Sequence, residues 1–119
     1  MLNEADILEN TYFDKCDIIR NTKIINESTG ITEFLDVIIY EDIKCAVSMK
    51  ESLKENLNGD VPSIAVLNKI FLHPKYDIQL GDTIVVTFHN GKKDSYLAAS
   101  KPFYYHSHSE TPITSKERS

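Results

Sequence analysis

The sequence lacks the features that mark several large classes of protein. Its longest apolar runs span only about four residues, such as Val37-Ile38-Ile39-Tyr40, whereas a membrane-spanning helix needs about 20. Its first residues, from Met1 to Asp6, contain acids where a signal peptide has a basic start and an apolar core. We therefore expect no membrane segment and a protein that is cytoplasmic at synthesis.

Cysteine and positive charge are also scarce. Cys16 and Cys45 form no CxxC pair and lie in strand-like segments, which predicts two buried free thiols. The net charge is −5, with 13 acids and 6 bases in residues 1–60. Since nucleic-acid affinity comes mostly from Lys and Arg on phosphates, a general nucleic-acid binder is disfavoured. Residues 61–119 are mildly basic, and this charge asymmetry suits head-to-tail contact between copies, acidic part to basic part; the alternative is a solvated surface with no such role.

No motif for catalysis is evident. Gly59, Gly81 and Gly91 are isolated turn glycines rather than a phosphate-binding loop, and no Gly-x-Ser-x-Gly is present. We predict that the protein is not an enzyme and has no cofactor. The best candidate for a metal site is the alternating set His106, His108 and Glu110. Because such sites usually have more definite spacing, we interpret this set as a polar exit from the last strand and predict no metal.

Strand patterns, by contrast, recur along the whole chain. Residues 43–49 alternate between apolar and polar, residues 63–72 are apolar on both faces, and Asn90-Gly91 is a strong hairpin signal. We predict an all-β fold, a small antiparallel β-barrel or sandwich of about six or seven strands with one long loop. The predicted core comprises Ile43, Cys45, Val47, Ile64, Val66, Ile84, Val86 and Phe88.

Three segments fall outside this pattern in a single β domain over residues 1–119. Residues 1–11 are predicted as a peripheral arm or short helix. Residues 50–62 are charged and turn-rich, which predicts a long mobile loop or a short helix over 51–57. Residues 106–119 are polar and aperiodic, which predicts a tail that becomes ordered only against a partner.

Aromatic residues leave one alternative function open. They could stack on the bases of a single-stranded nucleic acid, so the alternative is a monomeric OB-like β-barrel binding module for nucleic acid or a small ligand. The basic groove that such a module needs is missing, and core packing or subunit contact explains these residues better. They are Tyr12, Phe13, Tyr96, Phe103, Tyr104 and Tyr105.

Residues 73–110 combine a Gly-Asp pair that starts a strand, an Asn-Gly hairpin, a Pro-aromatic pair and a Ser-His exit. The segments are Ile78-Gln79-Leu80-Gly81-Asp82-Thr83-Ile84, Asn90-Gly91, Tyr96, Lys101-Pro102-Phe103 and Tyr105-His106-Ser107-His108-Ser109-Glu110. In this order they resemble the head-closure proteins of tailed bacteriophages, also called stopper or head–tail connector proteins, which also occur in phage-like elements of defective prophages. Residues 1–60 match that family in character only.

The resemblance implies a structural virion or prophage protein that forms a ring at the head–tail connector, closes the DNA exit and docks the tail. The implied partners are copies of itself, portal or adaptor proteins, tail-completion proteins, and double-stranded DNA that passes without sequence-specific contact. The implied location is the host bacterial cytoplasm during assembly and then the neck of the particle. The implied sites are a channel or partner loop with Lys50, Glu51, Lys54, Glu55, Asn58, Gly59 and Asp60, and a docking tail with Tyr104, Tyr105, His106, His108 and Glu110.

Overall fold

Seven antiparallel strands and one short helix make up the computed structural model, which describes the backbone of residues 3–54 and 63–115 and the side chains of residues 3–49 and 68–115. The elements are α1 (Glu4–Glu9), β1 (Asp14–Ile25), β2 (Thr32–Lys54), β3 (Ser63–Leu72), β4 (Thr83–Thr87), β5 (Lys93–Ala98), β6 (Phe103–Tyr104) and β7 (Ser109–Ser115). They form one sheet in the order β3-β2-β1-β4-β5-β7-β6, and a further β3–β7 pairing closes six strands into a ring. The all-β antiparallel prediction is confirmed. No helix in these two ranges is long and apolar enough to cross a membrane.

The core lies inside this ring because alternate residues of each strand point inward. In β4, for example, Ile84 and Val86 are buried while their neighbours are half-exposed. The buried cluster comprises Cys16, Ile18, Ile43, Cys45, Ile70, Leu72, Ile78, Ile84, Val86, Tyr96, Ala98 and Ile113.

Most of the predicted core residues that the structure describes are buried there. Both cysteines are buried free thiols, as predicted. Val47 and Phe88 pack against the core while partly exposed. The side chains of Ile64 and Val66 lie outside the described residues. The remaining predicted core residues, Ile43, Cys45, Ile84 and Val86, belong to the buried cluster.

The prediction of a tail over residues 106–119 was wrong for residues 109–115. Residues 109–115 form β7, which pairs with β3, β5 and β6 and completes the ring. Ser109, Thr111 and Ile113 alternate on its buried face. Small polar side chains hide the period-2 pattern of this strand, although Thr and Ile are good strand formers. Residues 116–119 lie outside the described range.

The loop predicted over residues 50–62 begins later than expected. Residues 50–54 continue β2 and pair with β3, from Lys50 opposite Leu67 to Lys54 opposite Ser63. The alternative prediction of a helix from residue 51 is therefore wrong for its first turn. Charged residues are compatible with this strand because the partner strand satisfies their backbone groups whatever the side chains are. Residues 55–62 lie outside the described range.

The long strand β2 contains one irregular residue, Asp42, close to the point where it changes partner from β1 to β3. Asp42 adopts a left-handed backbone conformation with φ 54°, which Asp tolerates better than most residues. Its N–H donates to Asp17 Oδ1 at 2.8 Å, and the register with β1 shifts between Cys16 and Ile19. β2 pairs with β1 as far as Cys45 and with β3 from Ala46 onward, so it contributes to two separate ribbons.

The β1–β2 ribbon extends well beyond the body. β4 pairs with β1 only as far as Ile19. Beyond that residue, β1 and β2 continue as a pair to a turn at residues 26–31. Gly30 has φ 73° there, and its N–H donates to Asn26 O at 2.7 Å. We call residues 20–38 the distal hairpin. The radius of gyration is 17.3 Å, against about 13.5 Å for a compact chain of this length, so the molecule is elongated.

The short helix α1 covers part of the predicted N-terminal arm. Asn3 accepts from Asp6 N–H at 2.9 Å, and Asp6 Oδ2 accepts from Asn3 N–H at 3.3 Å, which is a capping box. Asp6 Oδ1 lies 2.8 Å from His73 Nε2, so the helix is tied to the residue that follows β3. Ala5 is buried.

Candidate assembly surface

A buried ion pair fixes the base of the distal hairpin to the body. Asp82, only 2% exposed, accepts from Arg20 Nε at Oδ1 and from Arg20 Nη2 at Oδ2, both at 2.9 Å. Arg20 Nη2 also donates to Asp77 O at 3.0 Å, and Gln79 N–H donates to Asp82 Oδ2 at 2.9 Å. The hydrogen bond with Asp82 raises the pKa of the Arg20 guanidinium above its ordinary value. Arg20, the first residue of the distal hairpin, therefore attaches the hairpin to the turn at residues 77–82.

That turn depends on Gly81, whose φ of 88° is unfavourable for other residues. Gly81 N–H donates to Ala98 O at 3.0 Å, and Asp82 N–H donates to Gln79 O at 3.0 Å. The Gly-Asp pair noted in the sequence thus has a physical role, because the glycine makes the turn and the aspartate receives Arg20. Leu80, at the tip of the turn, is exposed.

A groove of about 500 Å³ lies beside this turn, between it and the segment before β6. Tyr104 Oη at its edge is 3.5 Å from Asp77 Oδ1. Exposed Leu80 and Tyr104 contribute apolar surface to this groove, whose lining also includes polar side chains. The groove is lined by Asp77, Ile78, Gln79, Leu80, Lys101, Pro102 and Tyr104.

The predicted docking residues form an ordered turn rather than a tail. The ring of Tyr105 stacks on His108 with centroids 4.9 Å apart, and Tyr105 N–H donates to His108 O at 2.8 Å. His108 Nε2 lies 2.9 Å from Glu110 Oε2, and Lys69 Nζ lies 3.3 Å from Glu110 Oε1. The hydrogen bond with His108, and then that with Lys69, lowers the pKa of the Glu110 carboxyl below its ordinary value. These contacts hold the turn between β6 and β7 against β3.

The structure places the docking residues unevenly on this turn. Tyr104, Tyr105 and His106 are exposed, whereas His108 and Glu110 are half-buried. His108 is also engaged by Ser107, whose Oγ lies 2.9 Å from its Nδ1. Among the described residues, no group of three or more His, Cys, Asp or Glu side chains is arranged to hold a metal ion.

The predicted channel residues are only partly described. The backbones of Lys50, Glu51 and Lys54 belong to β2, at the outer end of the β2–β3 ribbon. Glu55, Asn58, Gly59 and Asp60 lie outside the described residues. The channel role of this segment stays a prediction.

The sequence analysis did not identify the distal hairpin as an exposed apolar surface. Its two strands carry large apolar side chains that are exposed on both faces, although an ordinary exposed ribbon is polar on at least one face. The signal in the sequence was that apolar residues occur at adjacent positions. Because adjacent residues of a strand point to opposite faces, this pattern places apolar side chains on both faces. The exposed residues are Ile24, Ile25, Ile31, Phe34, Leu35, Val37 and Ile38.

The fold is similar to that of a protein from a phage-like element. A solved structure of the PBSX protein xkdH from Bacillus subtilis matches with a TM-score of 0.55, covering 89% of this chain and 96% of that chain. The sequence identity is 13%, so the likeness shows a shared fold over nearly the whole length of both proteins. No family model matches the sequence. No curated protein matches it either.

Proposed function

We propose that this protein is a structural component of a tailed phage or phage-like element, which forms a ring at the head–tail connector, closes the DNA exit and docks the tail. The observation that carries the proposal is the shared fold with a PBSX protein over 89% of this chain. It agrees with the sequence resemblance to head-closure proteins, which rests on residues 73–110 and was independent of the fold. The groove and the turn described above are built from those residues.

The docking face of the proposed ring is the groove with its neighbouring turn. An exposed aromatic residue at a groove, such as Tyr104, is typical of protein interfaces, where Tyr supplies a large contact area with few rotatable bonds. Tyr104 and Tyr105 are exposed, but Tyr104 is hydrogen-bonded to Asp77 and Tyr105 is stacked on His108. Their positions are fixed before any partner binds, which reduces the entropy that binding costs.

The acidic balance of the chain suits the proposed passage of DNA. Residues 1–60 hold 13 of the 18 acids and include the whole of β2 and most of residues 50–62, the segment predicted to face the channel or a neighbour. A pore that carries negative charge does not retain a polyanion, since retention needs Lys and Arg on the phosphates. We propose neither catalysis nor a cofactor, because the sequence shows no nucleophile motif, no evident acid–base pair and no phosphate-binding loop.

A capture experiment with the neighbouring proteins of the same element tests this function. Tagged full-length chain is mixed with portal, adaptor and tail-completion proteins at low and moderate salt. We expect capture of at least one of them, and Tyr104→Ser to weaken it, because an aromatic anchor at the groove is lost. Phe13→Ser is the matched control, since Phe13 is also an exposed aromatic residue but precedes β1. Capture of none of these proteins would overturn the proposal.

One observation favours the second candidate, an OB-like module for single-stranded nucleic acid. Phe103, Tyr104 and Tyr105 are three consecutive exposed aromatic residues close to Lys101. Bases stack on such side chains in single-strand binders. Tight binding of single-stranded DNA, together with no capture of connector proteins, would establish this candidate instead.

A further inference from the structure

The fold of one chain leaves the large apolar side chains of the distal hairpin exposed. The hairpin's seven exposed apolar side chains lie on both faces of the ribbon, whereas exposed apolar residues on a monomer are normally scattered singly. In the described part of the chain, no third strand flanks residues 20–38. A two-stranded ribbon alone is marginally stable in water, so a partner has a physical role here.

The hairpin has two different faces, which the strand register defines. Cross-strand partners share a face. Arg20 opposite Val37, Thr22 opposite Leu35 and Ile24 opposite Glu33 form the inner face. The inner face adjoins the groove, because the Arg20 side chain on this face reaches Asp82 and Asp77. The outer face is formed by Ile19 opposite Ile38, Asn21 opposite Asp36, Lys23 opposite Phe34 and Ile25 opposite Thr32.

Each face has exposed apolar side chains, and the charge nearest the tip is positive on the outer face and negative on the inner face. The outer face has Phe34, Ile25 and Ile38 with Lys23 near the tip and Asp36 farther from it, and the inner face has Leu35, Val37 and Ile24 with Glu33 near the tip. A two-fold symmetric contact joins one face to its own copy and leaves the other exposed. A head-to-tail contact joins the outer face of one copy to the inner face of the next, so it covers both faces and places Lys23 near Glu33.

We propose that the occupant of each face is a second copy of this chain, with the outer face of one distal hairpin packed on the inner face of its neighbour's distal hairpin. The proposal rests on the proposed ring for its closure, because head-to-tail contacts close into rings only when the rotation between copies allows it. It adds the residues that make the contact, and it assigns them to the hairpin rather than to the predicted docking turn.

Substitution of two adjacent residues that lie on opposite faces distinguishes a head-to-tail contact from a symmetric one. Phe34→Ser damages the outer face and leaves the inner face intact, whereas Leu35→Ser does the reverse. We expect the purified wild-type chain to form oligomers in sedimentation velocity as its concentration rises from micromolar to millimolar. Each variant alone should associate at least about tenfold more weakly, because apolar anchors dominate such interfaces. An equimolar mixture of the two should form 1:1 dimers, since one intact outer face meets one intact inner face.

Phe13→Ser is the control for loss of an exposed aromatic residue, because Phe13 is 81% exposed and lies at the other end of β1. It should associate like the wild type, and all three variants should keep the wild-type circular dichroism spectrum. A monomeric wild type throughout this range overturns the inference and leaves the faces to a partner of another sequence. A mixture that stays monomeric overturns the head-to-tail contact.

The two proposals fail in distinguishable ways because this assay contains only the chain itself. Self-association through the hairpin without capture of connector proteins contradicts the connector function and leaves the contact standing. Capture of connector proteins by a chain that never self-associates contradicts the contact and leaves the docking function standing.

Discussion

Strands β1 and β2 each pass through two environments, the closed body and the distal hairpin. In the body, Ile18 of β1 is fully buried because β4 and β2 flank it and the opposite side of the ring covers it. In the hairpin, Ile25 of the same strand is 60% exposed, with β2 as its described neighbour. The residue type and the strand are the same at both positions, and the number of surrounding strands differs, so burial follows the number of surrounding strands.

This difference separates what stabilises the fold from what is left for association. Burial of apolar surface stabilises the body within one chain. The hairpin has comparable apolar content but its burial requires another molecule, so its contribution depends on protein concentration. An apolar residue in a strand therefore predicts burial without predicting which molecule covers it.

The largest expected effect tests this comparison with one substitution at each end of β1. Ile18→Ala should lower the free energy of unfolding by about 2–5 kcal/mol, because it removes buried methyl groups and leaves a cavity. Ile25→Ala should change it by about 0.5 kcal/mol or less at a concentration where the chain is monomeric. Urea unfolding followed by circular dichroism measures both values. Equal losses at the two positions would show that the hairpin is as well packed as the body.

The parts of the body with clear local signals were predicted well. Asn90-Gly91 does form the connection between β4 and β5, with Gly91 at φ 89° and Phe88 N–H donating to Lys92 O at 2.8 Å. The alternating pattern of residues 43–49 correctly placed Ile43 and Cys45 in the core. Both signals are local, because turn geometry and side-chain period depend on a few neighbouring residues.

The parts that were missed depend on contacts between residues distant in sequence. β7 is largely polar, and it is buried because it pairs with both β3 and β5. Along the chain it lies nearly forty residues from its partners in β3 and about fifteen from its partners in β5. The Arg20–Asp82 pair spans 62 residues and carries no local pattern. The exposure of the hairpin follows from β4 ending its pairing at Ile19, which no residue of the hairpin itself encodes.

The ion pair at the junction of the two regions gives the next largest effect. Arg20→Leu leaves the Asp82 carboxylate buried without its cation, which should cost about 2–3 kcal/mol, less than the 3–5 kcal/mol of a fully buried pair because Arg20 is partly exposed. Lys15→Leu is the matched control, since Lys15 lies 3.6 Å from Asp42 with both side chains exposed, and it should cost about 0.5 kcal/mol or less. Urea unfolding of the two variants measures the difference. Similar losses in the free energy of unfolding would mean that the fold does not depend on pairing Asp82 with Arg20.

The smallest expected effect concerns the acid stability of α1, which is attached to the body at Asp6. The contact with His73, and then the capping interaction with Asn3, lowers the pKa of the Asp6 carboxyl below its ordinary value of 3.8. A carboxyl whose pKa is lower in the folded state stabilises the fold above its unfolded pKa and loses that contribution as the pH falls through the folded pKa. The wild type should therefore be more stable than Asp6→Asn at pH 6, and the difference should shrink as the pH falls below about 4.

Unfolding free energies of the two proteins across that range, with hydrogen exchange at α1, measure this dependence. Glu4→Gln is the control because Glu4 also lies in the first turn of α1. If helix-end charge alone were responsible, Glu4→Gln would show the same pH profile as Asp6→Asn. We expect instead that only Asp6→Asn increases exchange at α1 at pH 6, since Asp6 contacts both the cap and His73. Equal profiles for the two variants would contradict the prediction, because they would show that the Asp6–His73 contact does not attach the helix to the body.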